Sequence, residues 1–503
     1  MGCAILLFMA FVGLSSQVHA VTVNDFRVNV DTVRICQFSS DIGFDSAGNF
    51  VIVYSDRGVD HSFRQIYFQR FDSEGNRSGE PTLVSDTTIC YNNSPSIALH
   101  PSGSFVISWG TSIKDEPYYI RDIWVRGYDS SGNPLGPGQQ VDVDRPDPSN
   151  AGSSTHSDIG INKEGEFIVV WVDWDSTDGW NAYAQRYSAS GERMGNNFLV
   201  SDRSTTDHPL SQETFATRVV FNSLGYSFIC WQGCSQCEGW CPPVPVGRIY
   251  NPSGEPVTGV FPFFHPCSSK LDLGSYPDVA PNSENNFVAT FGFNDTFFTY
   301  PQGAMMVQTF DTSGNPLDTG ICVNDVIDLG AFSVSKVAVD SSDGYVILWA
   351  DARTWPTTGT TDRNLWAQRF DSSGEPSGQN YRINITPQML GGNWDMYDLA
   401  IHGNTVGITW MDYRNWTLYD ADIFGKLLDL DVIGYYLAGD MVLDGRVDIV
   451  DAVYLINYLF RGGWGLLPEW TGDVNADGEV NLVDAVYLIN YLFKSGPPPQ
   501  KGE

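Results

Sequence analysis

Positive charge is scarce in this 503-residue chain: 28 Lys and Arg stand against 60 Asp and Glu, a net charge of −32. That imbalance repels phosphate backbones and anionic lipid surfaces at every distance inside the screening length. Nucleic acid and acidic membranes are thereby excluded as partners, and hard cations such as Ca²⁺ are favoured. Long apolar runs are missing as well, so no segment reaches the 18 or so residues that would cross a bilayer as a transmembrane helix. The apolar stretch from Ala4 to Leu14 is too short for that and leads into Val18-His19-Ala20. This reads as a secretory signal peptide, residues 1–20, although its leading residues carry no Lys or Arg. Recognisable catalytic signatures are also lacking: there is no G-x-S-x-G elbow, no H-E-x-x-H, no Walker motif and no S-x-D-x-G-x-x-W box. Among 60 acids, nothing singles out the carboxylate pair that glycoside hydrolysis needs. No catalytic and no organic-cofactor-binding residue is therefore assigned.

What is present is ample apolar material, 42% hydrophobic and 13% aromatic residues, which marks a folded protein. The length exceeds one ordinary core and calls for several domains or one large repetitive architecture. Eight cysteines follow the expected cleavage site: Cys36, Cys90, Cys230, Cys234, Cys237, Cys241, Cys267 and Cys322. An even count in an exported chain reads as disulfides. The cluster Cys230, Cys234, Cys237 and Cys241, spaced C-x3-C-x2-C-x3-C, also has a spacing that suits Zn²⁺ or an iron–sulfur cluster, but the compartment favours disulfides, with pairing left open. Cys36 and Cys90 sit at nearly equivalent places before two successive repeats and are a candidate bridge.

A repeat organises most of the chain. "RFDSSGE" (369–375) has relatives at "RFDSEGN" (70–76), "GYDSSGN" (127–133), "RYSASGE" (186–192), "IYNPSGE" (249–255) and "TFDTSGN" (309–315). Taking Asp72, Asp129, Ser188, Asn251, Asp311, Asp371 and Asp429 as equivalent gives steps of 57, 59, 63, 60, 60 and 58 residues. Each unit holds four strand-like runs in two hairpins, with Gly or Asn supplying the turn conformation. Seven four-stranded units predict a seven-bladed β-propeller over residues 21–434. The seventh unit stops after its third strand, "DIFGKLLD" (422–429), while Phe26-Arg27-Val28-Asn29 matches the fourth-strand text Tyr381-Arg382-Ile383-Asn384. The N-terminal strand is thus expected to complete the last blade and seal the ring. This part resembles secreted bacterial seven-bladed propeller repeat proteins.

Tyr54, Trp109, Trp171, Trp231, Phe291, Trp349 and Trp410 close the second strands and read as packing between blades. Asp56, Asp173, Asp351 and Asp412 recur two residues later and read as turn-capping groups. Loop-rich stretches at 112–122, 173–182, 293–303 and 351–364 follow second strands and are expected at one end of the ring.

At Gly439 a shorter repeat begins. "GDMVLDGRVDIVDAVYLINYLFRGG" (439–463) is echoed by "GDVNADGEVNLVDAVYLINYLFKSG" (472–496), offset by 33. The second copy places oxygen donors at positions 1, 3, 5, 9 and 12 of a Ca²⁺ loop: Asp473, Asn475, Asp477, Asn481 and Asp484. Glu479 offers its carbonyl at 7, and Gly478 allows the turn at 6. In the first copy the corresponding metal set is Asp440, Asp444, Arg446, Asp448 and Asp451, with Val442 where a ligand belongs. Helices are expected after the loops and not before them.

Paired loop-then-helix units of this kind resemble the type I dockerin family, which assigns residues 435–497 to a dockerin-like module and 498–503 to a tail. The resemblance implies Ca²⁺-dependent folding and docking onto a cohesin-type module of another extracellular protein. Positions 10 and 11, where cellulosomal dockerins read their partner, are the apolar Ile449-Val450 and Leu482-Val483. They either meet an unusual cohesin or pack on their own chain. The sequence thus predicts a mainly β protein: a secreted Ca²⁺-binding interaction protein whose propeller takes a carbohydrate or surface ligand. The alternatives are an extracellular glycoside hydrolase or other polysaccharide-active enzyme, and a structural cell-surface protein.

Overall fold

The computed structural model describes residues 25–30, 37–57, 64–85, 91–115, 118–144, 155–175, 179–201, 217–234, 243–263, 273–295, 302–324, 334–351, 364–384, 396–412, 421–443, 445–461 and 469–501. The expected signal peptide, Cys36, Cys90, Cys237, Cys241, Cys267 and Asp444 lie outside these residues.

Blade six shows how the sequence builds one repeat. Its strands Ser335–Val339, Tyr345–Asp351, Asn364–Phe370 and Pro376–Arg382 pair in order as an antiparallel sheet. At the outer hairpin, Asp371 Oδ1 accepts the backbone N–H groups of Ser373 and Glu375, at 2.9 and 3.1 Å, and Gly374 takes φ +82°, where a side chain would be strained. Asp72, Asp129 and Asp311 make the same pair of bonds at 2.8 to 3.0 Å. The recurring acid is therefore scaffolding.

Seven such sheets form, and the first strands of successive blades touch in a closed cycle that returns from blade seven to blade one. Phe26–Arg27 pairs with Asp422–Asp429 as the fourth strand of blade seven, Phe26 opposite Gly425 and Arg27 opposite Phe424. The textual match with blade six is also a match of bonds. Val28 N donates to Ile423 O at 2.7 Å and Ile423 N to Asn29 Oδ1 at 3.0 Å; Ile383 N donates to Leu365 O at 2.9 Å and Leu365 N to Asn384 Oδ1 at 2.8 Å.

Second strands are apolar on both faces because each face meets a different blade. Val51 and Val53 pack with Ile97, Phe105 and Trp109 of blade two, while Ile52 and Tyr54 join Ile408 and Trp410 of blade seven. All seven aromatics at the second-strand ends are buried. Truncating one of the buried tryptophans to alanine costs about 3–5 kcal/mol.

Two expectations change and a third is extended. Cys230 is a free, buried thiol, not half of a disulfide, and strand alternation aims it at blade five beside Phe228, Val279 and Phe291; burial pushes its thiol pKa well up. The stretches 112–122 and 173–182 are largely paired strand, since Phe105–Asp115 pairs with Tyr118–Tyr128 and Phe167–Asp175 with Gly179–Tyr187 along their whole length. Asp412 is buried and accepts the Trp410 indole N–H at 3.0 Å, so it also pins the aromatic of its own strand.

The C-terminal unit contains helices α1 (Ile449–Arg461) and α2 (Leu482–Lys494), packed through Ala452, Leu455, Ala485 and Leu488. Asn481 and Asp484 form a capping box that starts α2. Among the described residues only a 3₁₀ turn, Glu469–Thr471, precedes the second loop. The unit is seated on the propeller. Arg382 N donates to the Tyr436 hydroxyl at 3.0 Å, Tyr436 stacks on Tyr381 with ring centroids 4.9 Å apart, and Leu443 enters the core between blades six and seven. Among the described residues no helix is long and apolar enough to cross a membrane.

Candidate functional site

The fold sorts the acids that the sequence leaves undistinguished. One position of each first strand, just before its apolar pair, carries in blade order Asp41, Ser96, Asp158, Arg218, Asp278, Lys336 and Asp398. In blades one, two, three and five a β-bulge lies immediately before it, with Ser39, Ser94, His156 and Tyr276 at φ 38, 47, 48 and 51°. Bulges re-aim the following side chain.

These side chains stitch neighbouring blades together. Asp41, Asp158 and Asp278 each accept a backbone N–H from the next blade, from Ile97, Val219 and Val337 at 2.9, 2.7 and 2.9 Å. Arg218 Nε reaches Asp278 at 3.4 Å, Lys336 Nζ reaches Asp398 at 2.9 Å, and Thr409 Oγ1 meets Ser40 Oγ at 3.1 Å to close blade seven onto blade one. Ser96 Oγ lies 2.9 Å from Asp41 and 2.8 Å from Asp158. One hydroxyl has one proton to give, so the second contact requires a protonated carboxyl. Burial raises both aspartates, helped at Asp41 by the Asp398 charge; burial also lifts Asp278 to about 6 against the pull of Lys336 and Arg218. Six of the seven line an axial cavity of only about 20 Å³, room for roughly one water. Among the described residues, this cavity has no space for a sugar ring. Its column of charge inside an otherwise apolar strand is visible in the repeat alignment and was the signal that could have found it.

The two candidate Ca²⁺ loops are folded alike. Asp440 Oδ2 accepts Gly445 N at 2.8 Å, and Asp473 Oδ2 accepts Gly478 N at 2.9 Å. Asp451 Oδ2 accepts Asp448 N and Asp484 Oδ2 accepts Asn481 N, both at 2.9 Å. Gly445 and Gly478 take φ +81 and +88° at position 6. Among the described residues, no three His, Cys, Asp or Glu side chains form a metal cage by themselves. The second loop relies on the amide oxygens of Asn475 and Asn481 to complete its set. The fit to a hard divalent cation rests on charge: Asp440, Asp451 and Asp484 are fully buried. Burial, with Asp440 beside it, lifts Asp451 to about 7, and burial with Asp473 and Asp477 nearby raises Asp484. Buried, mutually repelling carboxylates in an all-oxygen set are what a calcium ion neutralises. Asp473, Asn475, Asp477, Asn481 and Asp484 with the Glu479 carbonyl would hold one ion; Asp440, Asp448 and Asp451, with Asp444 and the Arg446 carbonyl, would hold a second.

Residues 438–493 match the family model described as the dockerin type I domain. The C-terminal module is a type I dockerin domain. Dockerin domains of this type bind calcium and dock onto cohesin modules.

The dockerin helices present a duplicated apolar face. Ile449 and Val450 are 50% and 36% exposed, and their counterparts Leu482 and Val483 are both 56% exposed. Val453 and Val486, and Phe460 and Phe493, extend the same pairing along α1 and α2. Positions 10 and 11 therefore face outward and do not pack on their own chain. Val442, by contrast, is buried together with Leu443, whose side chain enters the propeller core. The departure at loop position 3 thus lies in the segment that seats the dockerin on the ring.

No curated protein matches the chain. Among solved structures, the likeness extends to a protein of unknown function from Dyadobacter fermentans, at 10% identity, 81% of this chain, 98% of that one and TM-score 0.47. An α-L-arabinanase from Penicillium chrysogenum complexed with arabinobiose shares 11% identity over 68% and 94% of the two chains, TM-score 0.44. A Hadza microbial sialidase shares 11% identity over 82% and 94%, TM-score 0.43. These are likenesses of architecture alone.

Proposed function

We propose that the protein is an extracellular, Ca²⁺-dependent docking protein that carries its propeller into an assembly as a binding scaffold. The observation that carries this reading is the outward apolar face of the dockerin domain, four pairs of large apolar side chains repeated by the internal duplication. Contiguous apolar surface of this kind on a soluble domain marks an interaction site. A cohesin-type module is the partner that the dockerin match supports. The propeller serves as the scaffold in this reading because its described axial carboxylates hold backbone N–H groups and a cation of neighbouring blades.

The test is calorimetric titration of the full secreted chain with cohesin modules, with Ca²⁺ and with chelator. Saturable binding that needs Ca²⁺, and falls at least a hundredfold in the double variant Val450→Asp, Val483→Asp, is expected. Failure of every cohesin to bind in Ca²⁺ would discard the docking reading. Release of reducing sugar from polysaccharides by the propeller would restore the enzyme reading.

A further inference from the structure

The residue that precedes the last aromatic or apolar residue of each third strand is, in blade order, Arg70, Gly127, Arg186, Ile249, Thr309, Arg369 and Leu427. Where it is arginine, its guanidinium crosses to the next blade and donates to carbonyls of the following segment. Arg70 reaches the carbonyls of Ser130 and Ser131, and Arg186 those of Pro252 and Ser253. Arg369 reaches the Leu430 carbonyl at 3.2 Å and the Asp431 carboxylate at 2.8 Å. The clamp recurs in blades one, three and six; blade two has Gly127 at that position, with no side chain to reach across.

The cleft between blades two and three is correspondingly open. A cavity of about 260 Å³ lies there, lined among others by Gly127, Leu135, Glu164, Ala189, Ser190 and Gly191. The turn glycine of the receiving blade gauges how full each cleft is. A methyl group on Gly132 would meet Arg70 Cδ at 3.0 Å, and one on Gly254 would meet the Arg186 guanidinium at 2.0 Å. On Gly191 it would meet nothing nearer than Gln139 Nε2 at 3.9 Å. Between blades four and five, which also lack the arginine, Phe261 fills the space, 2.9 Å from the same point on Gly314.

We propose that this cleft binds an alkylguanidinium group, the side chain of an arginine on a partner protein. The chain itself shows the chemistry, since equivalent turn carbonyls take a guanidinium at two other blade junctions. Ala189 and Ser190 hold the places of Ser130 and Ser131. Glu164 adds a carboxylate at the rim, where Lys163 stands 3.8 Å away, and the chain's net charge of −32 draws cations. The cation already in the lining, Arg126, is committed elsewhere, donating to Gly136 O at 2.9 Å and Val84 O at 3.1 Å. His100 is held by Ser102 Oγ at 2.7 Å and Lys163 O at 3.0 Å. The cavity falls below the roughly 300 Å³ of small drug-sized sites and suits one side chain.

Titration calorimetry of the full chain in Ca²⁺ would use acetyl-Gly-Arg-Gly-amide, its citrulline analogue, which has the same shape without the charge, and methylguanidinium. Saturable binding of the arginine peptide, at least tenfold tighter than the citrulline peptide, is expected. It should be lost in Gly127→Arg, which supplies the guanidinium from the chain itself, and in Gly127→Leu, which fills the cleft without charge. A methyl group at Gly127 meets Leu135 at an ordinary 3.5 Å, so both variants can be checked for native circular dichroism before titration. Binding of methylguanidinium but not of the peptide would overturn the partner side chain as occupant. No binding by either cation, equal binding of citrulline, or undiminished binding in a folded Gly127→Arg would overturn the site itself.

Discussion

Lys426→Met should separate the propeller from the dockerin domain. Lys426 is fully buried, and its ammonium donates to Ile383 O at 3.0 Å in blade six and to Leu443 O at 3.2 Å in the first dockerin loop. It also stands 3.9 Å from the carboxylate of Asp25, beside the N-terminal latch. One side chain thus ties together three parts of the chain that are distant in sequence. Methionine keeps the volume of the stem but donates nothing. A hydrogen bond from a charged donor contributes about 1.5–3 kcal/mol, and removing one partner of a buried ion pair costs about 3–5 kcal/mol. These terms overlap, so a loss of about 4 kcal/mol is expected. At about 2 cal/mol/K per residue over roughly 400 residues, 1 kcal/mol corresponds to about 1 °C, so the propeller midpoint should fall by about 4 °C. Scanning calorimetry checks this with and without Ca²⁺. In the parent chain, Ca²⁺ bound a thousandfold above its dissociation constant adds about 4 kcal/mol to the folded state. The shared core at Leu443 should pass part of that gain to the propeller transition. In Lys426→Met the two transitions should part and the propeller should stop responding to Ca²⁺. A variant that melts within 1 °C of the parent as a single Ca²⁺-dependent transition would refute the coupling.

Asp158→Ala strands the buried Val219 N–H and leaves Arg218 less compensated; it should cost about 3–5 kcal/mol in urea unfolding, whereas Asp158→Asn, which keeps an acceptor, should cost about 1–2 kcal/mol. Equal effects of the two would count against the stitching role. Asp278, raised by burial to about 6 from 3.8, binds its proton more tightly folded than unfolded. It therefore stabilises the fold progressively as pH falls from about 6 to about 4, by about 3 kcal/mol. Below about 4 the turn carboxylates work the other way, because the Asn133 amide holds Asp129 low and the Ser373 hydroxyl holds Asp371 low. Thermal midpoints should peak between pH 4 and 5, and a midpoint that rises steadily from pH 4 to 7 would contradict this. Chelation of Ca²⁺, or Asp473→Ala, should lower far-ultraviolet helix content while the β signal persists; unchanged helicity would show that α2 stands without the ion.

Much of the architecture was legible because a repeat multiplies weak signals. One D-S-S-G turn is ambiguous, but six related turns at a common spacing establish a blade and its hairpin, and the match of Phe26–Asn29 with Tyr381–Asn384 revealed the latch. The dockerin loops were legible for a different reason: ligand spacing and the position-6 glycine are local properties of twelve residues. The disulfide expectation failed at Cys230 because spacing along the chain says nothing about which face a strand residue takes, and Cys230 takes the face toward blade five. The axial ring went unread because its members lie about 60 residues apart, each an ordinary polar residue beside an apolar pair. Only closure of the ring makes them neighbours.

By itself the sequence determined the period, the number of blades, the strand that seals them and the duplicated loop-then-helix unit, all of which follow from local hydrogen bonding and alternation. Tertiary structure alone decided that stitched charges line the axis, that the dockerin sits on the propeller through Leu443 and Lys426 with its apolar face outward, and that the cleft beside Gly127 is open. Each of these depends on which distant side chains share one small volume, and separation along the chain carries no information about that.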